Sequence, residues 1–459
     1  MANRGGFSSK LGFIFAAAGS AVGLGNIWKF PYEAGLNGGA VFLVIYLILT
    51  VVVCYPIMVG EIAIGRRAQA DAYGSYKKLG GRKWGLIGLF GIICGVMILS
   101  FYNVVAGWAF GYFLEISFGS LLKQGNYSEF FSSYVADITD NFIFSFCFMI
   151  ITAFIVVKGV QGGIEKASKI LMPVLFIILI GLIIYAVTLP NALDGVKYYL
   201  LPDFSTFRAE ALYSALGQAF FSLSLGMGAL ITYGSYISKN DNIISSAAMI
   251  TIMDAGVAFL AGLLIFPLIF SQNLEPTAGP GLVFVVLPGV FEAMGPFIGR
   301  IIGGGFFLLL CFAALTSTIS LLEVPVAYLV DEKKWPRKRV VWLLGLVVFL
   351  VGIPSMLSQG AVEMFTKLGF YSDKDFLTFV AEVFSDVSLP LGGCLMSIFI
   401  AVKWKKENFS DEIAQGNPKY KGSFLEKFIN VMITVISPFI LAFLFINTVL
   451  AKFFEISLI

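Results

Sequence analysis

Stretches of about 20 apolar residues recur along the whole chain, each long enough to cross roughly 30 Å of hydrocarbon, and no feature limits the possible folds more. Of 459 residues, 58% are hydrophobic and only 13% are charged, with a mean hydropathy of +0.89. Such a chain has too little polar surface to cover a water-soluble domain, and the bilayer is its solvent. About eleven spans are expected, near 11–35, 40–65, 85–119, 140–158, 168–189, 211–237, 243–271, 299–330, 340–357, 377–403 and 426–453.

Loop charge predicts the orientation. The loops at 66–83, 331–339 and 403–427 are rich in Lys and Arg, whereas 120–139 and 189–210 carry Glu129, Asp137, Asp194 and Asp203 against few cations. The positive-inside rule then puts the N-terminus in the cytoplasm and, with an odd number of spans, the C-terminus outside a cytoplasmic (inner) membrane. The start of the chain, Arg4 and Lys10 followed by the apolar run Leu11–Ala21, has the outline of a signal peptide, but apolar sequence resumes through Phe30 and a membrane span is the better reading.

Several chemistries find no support. The chain has no histidine, which removes the commonest metal ligand and the side chain best suited to proton relay near neutral pH. Its five cysteines (Cys54, Cys94, Cys147, Cys311 and Cys394) lie in apolar stretches, as small core residues do. There is no Walker-type glycine loop and no nucleophile–base spacing, so neither an ATP-driven pump nor an enzyme is expected, and the basic run Lys333–Arg339 is a topology signal rather than a nucleic-acid patch.

The informative residues are those that break the rules of a spanning helix. The first span contains Gly19-Ser-Ala-Val-Gly-Leu-Gly-Asn26-Ile-Trp-Lys29-Phe-Pro31, and the sixth contains Phe221-Ser-Leu-Ser-Leu-Gly-Met-Gly228. Glycines at such spacing also serve close helix packing. Interruptions at corresponding places in two halves, flanked by polar residues, point instead to a transport site, where half-helix N-termini offer amides to an anion and freed carbonyls coordinate cations. Asp254 adds a carboxylate inside the seventh span, costly unless paired and a functional candidate by default.

With these segments, Asn37-Gly-Gly, Pro56, Gly60-Glu61, Ala215–Gly228 and Phe312-Ala-Ala-Leu-Thr-Ser317 resemble the signature stretches of the neurotransmitter:sodium symporters over nearly the whole chain. The resemblance implies an all-α polytopic fold of the LeuT type, a 5+5 inverted repeat with discontinuous first and sixth helices. The chain would be a single transporter domain over 1–459, with a first repeat near 11–189, a second near 211–403 and an extra helix near 426–453. Most members have a twelfth span; eleven are seen here, as in some bacterial members that carry tyrosine, tryptophan or other bulky apolar amino acids.

By the same resemblance, one sodium would be held by Ala21, Asn26, Ser222, Asp254 and the substrate carboxylate, and a second by Gly19, Val22, Ala313, Thr316 and Ser317. Oxygen-only sets suit a hard cation, although hydroxyls such as those of Thr316 and Ser317 also bond their own helix's carbonyls. Chloride-dependent members place Asn where Asp254 stands and Ser where Ala258 stands, so one or two sodium ions and no chloride are expected. Members that carry amines place an aspartate at the position of Gly23, so the substrate here should bring its own carboxylate, as an amino acid does. It would dock on the amides of Leu24 and Gly25 and the hydroxyl of Tyr102, with its ammonium at Ala21, Phe221, Ser222 and Ser224. Ile98, Phe221, Met227, Ser317, Ser320 and Leu321 would line its side chain.

Tyrosine, tryptophan or another large hydrophobic amino acid is the expected substrate, a leucine-like aliphatic one the alternative; a channel or receptor on the same fold is the remaining class. Arg4, Tyr236 and Asp331 would close the cytoplasmic side, and Lys29 with Glu382 the outer side. The expected partners are the substrate and membrane lipid, with no nucleic acid; oligomeric state is not legible.

Overall fold

The structure, a computed structural model, describes residues 5–274, 281–371 and 374–456. Within them the chain is helical throughout, and nine helices are long and apolar enough to cross a membrane. Two further spans are broken. The first pairs Lys10–Ala21 with Gly25–Leu36, bent by 48°; the sixth pairs Glu210–Ser222 with Ala229–Gly234. The eleven segments fall where the apolar pattern predicts them, from the second (Ala40–Ala68) to the tenth (Phe376–Trp404) and eleventh (Phe424–Phe454). Short helices absent from that pattern, including Ala72–Gly80, Tyr127–Ala136 and Lys406–Gly416, occupy the connections.

The bundle has two kinds of surface. Its interior packs the first, third, sixth and eighth spans, and the eighth (Ile298–Lys333) against the third (Gly85–Ser117) forms the most extensive interface. Outside, Ile150, Phe154, Ile177, Ile184, Ile252 and Phe439 are exposed, a belt that only hydrocarbon can cover without cost. Polar groups in the interior pair across helices: Asn103 donates to the Ser145 carbonyl at 2.9 Å, and Thr152 meets Thr318 at 2.9 Å.

At one end of the bundle, Arg66 at the close of the second span holds the connector helix Lys406–Gly416. Its Nε donates to Glu412 Oε1 at 2.8 Å, a further guanidinium nitrogen donates to the Glu412 carbonyl, and Nη1 reaches the Asp241 carbonyl at 2.5 Å. Both side chains are fully buried. Removing one partner of such a pair strands a charge, so Arg66→Met is expected to destabilise the protein by about 3 kcal/mol. Arg67, 43% exposed and 3.4 Å from the same carboxylate, should matter by under about 1 kcal/mol when replaced by alanine. Thermal unfolding of the two variants in detergent micelles checks the contrast.

Candidate functional site

The site lies between the two breaks. The first helix ends at Ala21, where Val22 turns extended (φ −70°, ψ 105°), and the chain resumes helically at Gly25. The Asn26 side chain bridges the gap by accepting from the Gly23 amide at 3.0 Å. In the sixth span, Ser224, Gly226 and Gly228 all have positive φ, a conformation that glycine supplies at little cost and a break requires. The Gly226 amide is not orphaned, because Glu61 Oε1 accepts it at 2.7 Å. A Cβ at Gly226 would strike the Leu389 backbone, so the tenth span presses directly on the break.

Asp254 is fully buried at the first of two oxygen clusters. Ser222 donates to its carboxylate at 2.8 and 3.0 Å, Asn26 Nδ2 donates at 2.8 Å, and the Tyr46 hydroxyl donates at 3.3 Å. Three of the four residues expected around the first sodium (Asn26, Ser222 and Asp254) are thus in mutual contact, with Ala21 on the adjoining cavity wall. Beside them, Gln218 Nε2 donates to the Gly25 carbonyl at 2.7 Å.

The second cluster joins the first break to the eighth span. Thr316 Oγ1 lies 3.3 Å from the Val22 carbonyl and 3.0 Å from that of Ala313; Ser317 Oγ is 3.5 Å and 3.4 Å from the same two oxygens. The hydroxyls therefore bond both their own helix and the broken one. Gly19 completes the group, since a Cβ there would sit 3.2 Å from Thr316 Cβ. The donors are carbonyls, hydroxyls and one carboxylate. Among the described residues no group of three or more His, Cys, Asp or Glu could hold a metal ion; oxygen donors of the kind found here suit hard cations better than transition metals.

Between the clusters is a small cavity lined by Ala21, Gly25, Ile98, Tyr102, Phe221, Ser222, Ser224, Met227, Ser317 and Leu321, all expected substrate residues, together with Ser20 and Gly23. Leu24 points its amide at the Tyr102 hydroxyl, 2.7 Å away. Ser320 stands behind the wall, accepting from Ser20 at 2.7 Å. Tyr102 and Phe221 face each other at 6.5 Å between ring centroids.

The expected charge pairs fare unequally. Lys29 pairs with Asp386, at 2.9 Å, not with Glu382. Glu382 lies one turn earlier and binds Lys452 at 2.6 Å, Lys374 at 3.0 Å and the Tyr371 hydroxyl at 2.5 Å. The physical reason is helix phase: Glu382–Val387 is a π-helical turn, which rotates the following side chains away from a regular α-helical count. Asp386 carried a usable signal nonetheless, being a carboxylate inside an apolar span like Asp254. At the other end, Tyr236 donates to Glu323 at 2.8 Å, and Glu323 takes a forked contact from Arg337. Asp331 accepts from the Asp71 amide at 3.1 Å. Arg4 lies outside the described residues.

Two helices broken in mid-bundle around one cavity, their carbonyls and amides there freed from regular helical pairing, define a polytopic membrane carrier of the LeuT type. The profile of the Sodium:neurotransmitter symporter family matches residues 4–134 and 120–456. The chain is 42% identical over 451 residues to an uncharacterized sodium-dependent transporter, YhdH, of Bacillus subtilis (strain 168), covering 96% of this chain and 97% of the relative. It is 28% identical over 430 residues to the sodium-dependent serotonin transporter of Drosophila melanogaster, covering 82% and 68%. Among solved structures, that of MhsT in complex with L-phenylalanine matches with a TM-score of 0.88 and 42% identity over 96% of this chain and 99% of that one. The chain belongs to the sodium:neurotransmitter symporter family, and it is a sodium-dependent transporter rather than an enzyme.

Proposed function

We propose that the protein imports a large hydrophobic or aromatic amino acid by sodium symport. The observation that carries this reading is the polarity of the cavity between the breaks. Its lining holds no charged side chain, the Leu24 amide donates to the hydroxyl of Tyr102 on the cavity wall, and Asp254 sits just behind Ser222. A zwitterion fits that pattern. Its carboxylate takes the amides of Leu24 and Gly25 and the Tyr102 hydroxyl, and completes the shell of a sodium ion held by Ala21, Asn26, Ser222 and Asp254. Its ammonium meets the carbonyls at Ala21, Phe221 and Ser222 and the Ser224 hydroxyl. The side chain extends among Ile98, Phe221, Met227 and Leu321, and Met227, between two glycines, repacks around ligands of different bulk. That a relative of 42% identity was solved with L-phenylalanine supports the substrate class.

Gly19, Val22, Ala313, Thr316 and Ser317 hold a second sodium in this reading. Transport follows alternating access in a cytoplasmic membrane, the bundle of the first, second, sixth and seventh spans rocking against the rest. Lys29–Asp386 closes the outer path, and the Tyr236 end, with Arg4 and Asp331, closes the cytoplasmic one. The N-terminus is cytoplasmic, as the basic loops require. Asp254 supplies the fixed negative charge that bound chloride supplies in other members, so transport needs no chloride. Two arms test this in proteoliposomes. Replacing chloride by gluconate should change uptake by less than about twofold, under 0.5 kcal/mol; a severalfold fall would contradict the anion claim. Phenylalanine, tyrosine and tryptophan should displace the labelled substrate ahead of glycine and lysine; the reverse order would overturn the substrate class.

A further inference from the structure

The eleventh span lends no residue to the lining of the cavity between the breaks, yet its last turn delivers a charge to the Lys29–Asp386 pair. Lys452 Nζ lies 2.6 Å from Glu382 Oε1 and 3.7 Å from Asp386 Oδ2, while Lys29 holds Asp386 Oδ1 at 2.9 Å. Two carboxylates one turn apart on the tenth span thus share an amine from a separate helix. These side chains border two outer cavities, in which Glu33, Arg208, Glu210 and Asp375 are the other charged groups.

The two acids are unequally supplied. Glu382 has two donors besides Lys452, the Tyr371 hydroxyl at 2.5 Å and Lys374 at 3.0 Å. Asp386 has only Lys29 close by, with Lys452 a little beyond hydrogen-bond reach. If Lys29 parts from Asp386, a carboxylate only 24% exposed is left without a close cation, an expensive outcome. Glu382, in contrast, can release Lys452 and remain bonded. A lysine suits such an exchange, because its ammonium is a point charge with three donors on a flexible stem.

We propose that Lys452 is the exchange partner of the outer gate: when Lys29 leaves Asp386, Lys452 moves from Glu382 onto Asp386 and stabilises the open state. Lys452 is therefore a positioning residue through which the eleventh helix sets the balance between open and closed vestibules. The proposal rests on the reading of Lys29–Asp386 as a gate.

The test uses Ala381→Cys, at a residue that lines an outer cavity with Lys29 and Asp386, in the full-length protein carrying Cys147→Ser to remove the one partly exposed thiol among the described residues. Its rate of labelling by a membrane-impermeant thiol reagent, in sodium without substrate, reports the open fraction. Lys452→Gln should slow labelling about threefold, the scale of a partly exposed ion pair, and Lys452→Arg should restore it. Glu382→Gln, which frees Lys452 for Asp386, should speed labelling, an opposite shift that misfolding would not mimic. Asp386→Asn should speed it as well. If Asp386→Asn speeds labelling while Lys452→Gln and Glu382→Gln leave it unchanged, the exchange role is wrong and the gate stands. If none of the variants moves it, both are wrong.

Discussion

Replacing Asp254 by asparagine is expected to lower sodium affinity by about a hundredfold or more. The side chain keeps its shape and still meets Ser222, Asn26 and Tyr46, so the packing survives. What is lost is the one formal negative charge in the cluster, fully buried beside the breaks. Truncating the charge of a buried pair costs about 3–5 kcal/mol, and each 1.4 kcal/mol is about tenfold. Sodium titration of labelled amino-acid binding measures the shift. Restoration of binding by chloride in Asp254→Asn would further support the fixed-charge role; sodium affinity within about twofold of the parent would remove Asp254 from the ion site.

The second large effect is expected from a single methyl group. A Cβ at Gly23 would press on Ser317 Oγ and Tyr102 OH, two of the hydroxyls that line the cavity. Both are held on other partners, Tyr102 by the Leu24 amide and Ser317 by the first break's carbonyls. Gly23→Ala therefore occupies the space proposed for the substrate carboxylate and displaces Tyr102, proposed to bind it, and Ser317 of the second cluster. Overpacking of this kind costs about 1–3 kcal/mol, and amino-acid binding should fall by about tenfold to a hundredfold. The comparison is Gly95→Ala, whose Cβ would make only an ordinary contact, 3.9 Å from the Met227 carbonyl. Binding by that variant should stay near the parent value. Equal losses in both variants would mean that the glycines act through helix packing and not through the site.

The two expectations show which parts of the molecule the residue pattern carried. Hydrocarbon permits only apolar segments of a minimum length, so the eleven spans were legible as local runs. The breaks were legible for a related reason: Gly19 to Asn26 and Ser222 to Gly228 combine glycine with polar side chains where an unbroken helix would tolerate neither well. Asp254 announced itself through its cost. The partners of these groups were not legible, because tertiary contact leaves no local trace. That Glu61 caps the Gly226 amide, or that Lys452 reaches the tenth span from 70 residues away, follows from how helices pack and not from any spacing. Glu382 and Asp386 mark the boundary between the two cases. Both acids were visible in the tenth span, but the π-helical turn between them decides which one faces Lys29, and that turn has no sequence signature comparable to a proline or a glycine pair. The oxygen clusters needed both kinds of information: residue types came from the chain, and their convergence on one cavity from the fold.

Sodium-driven uptake of labelled L-phenylalanine into proteoliposomes tests the central claim most directly. With sodium outside and potassium inside, the amino acid should accumulate above its external concentration, and dissipating the sodium gradient should abolish the excess. Uptake that reaches the same level with choline in place of sodium would contradict a site in which cation and carboxylate complete each other's binding.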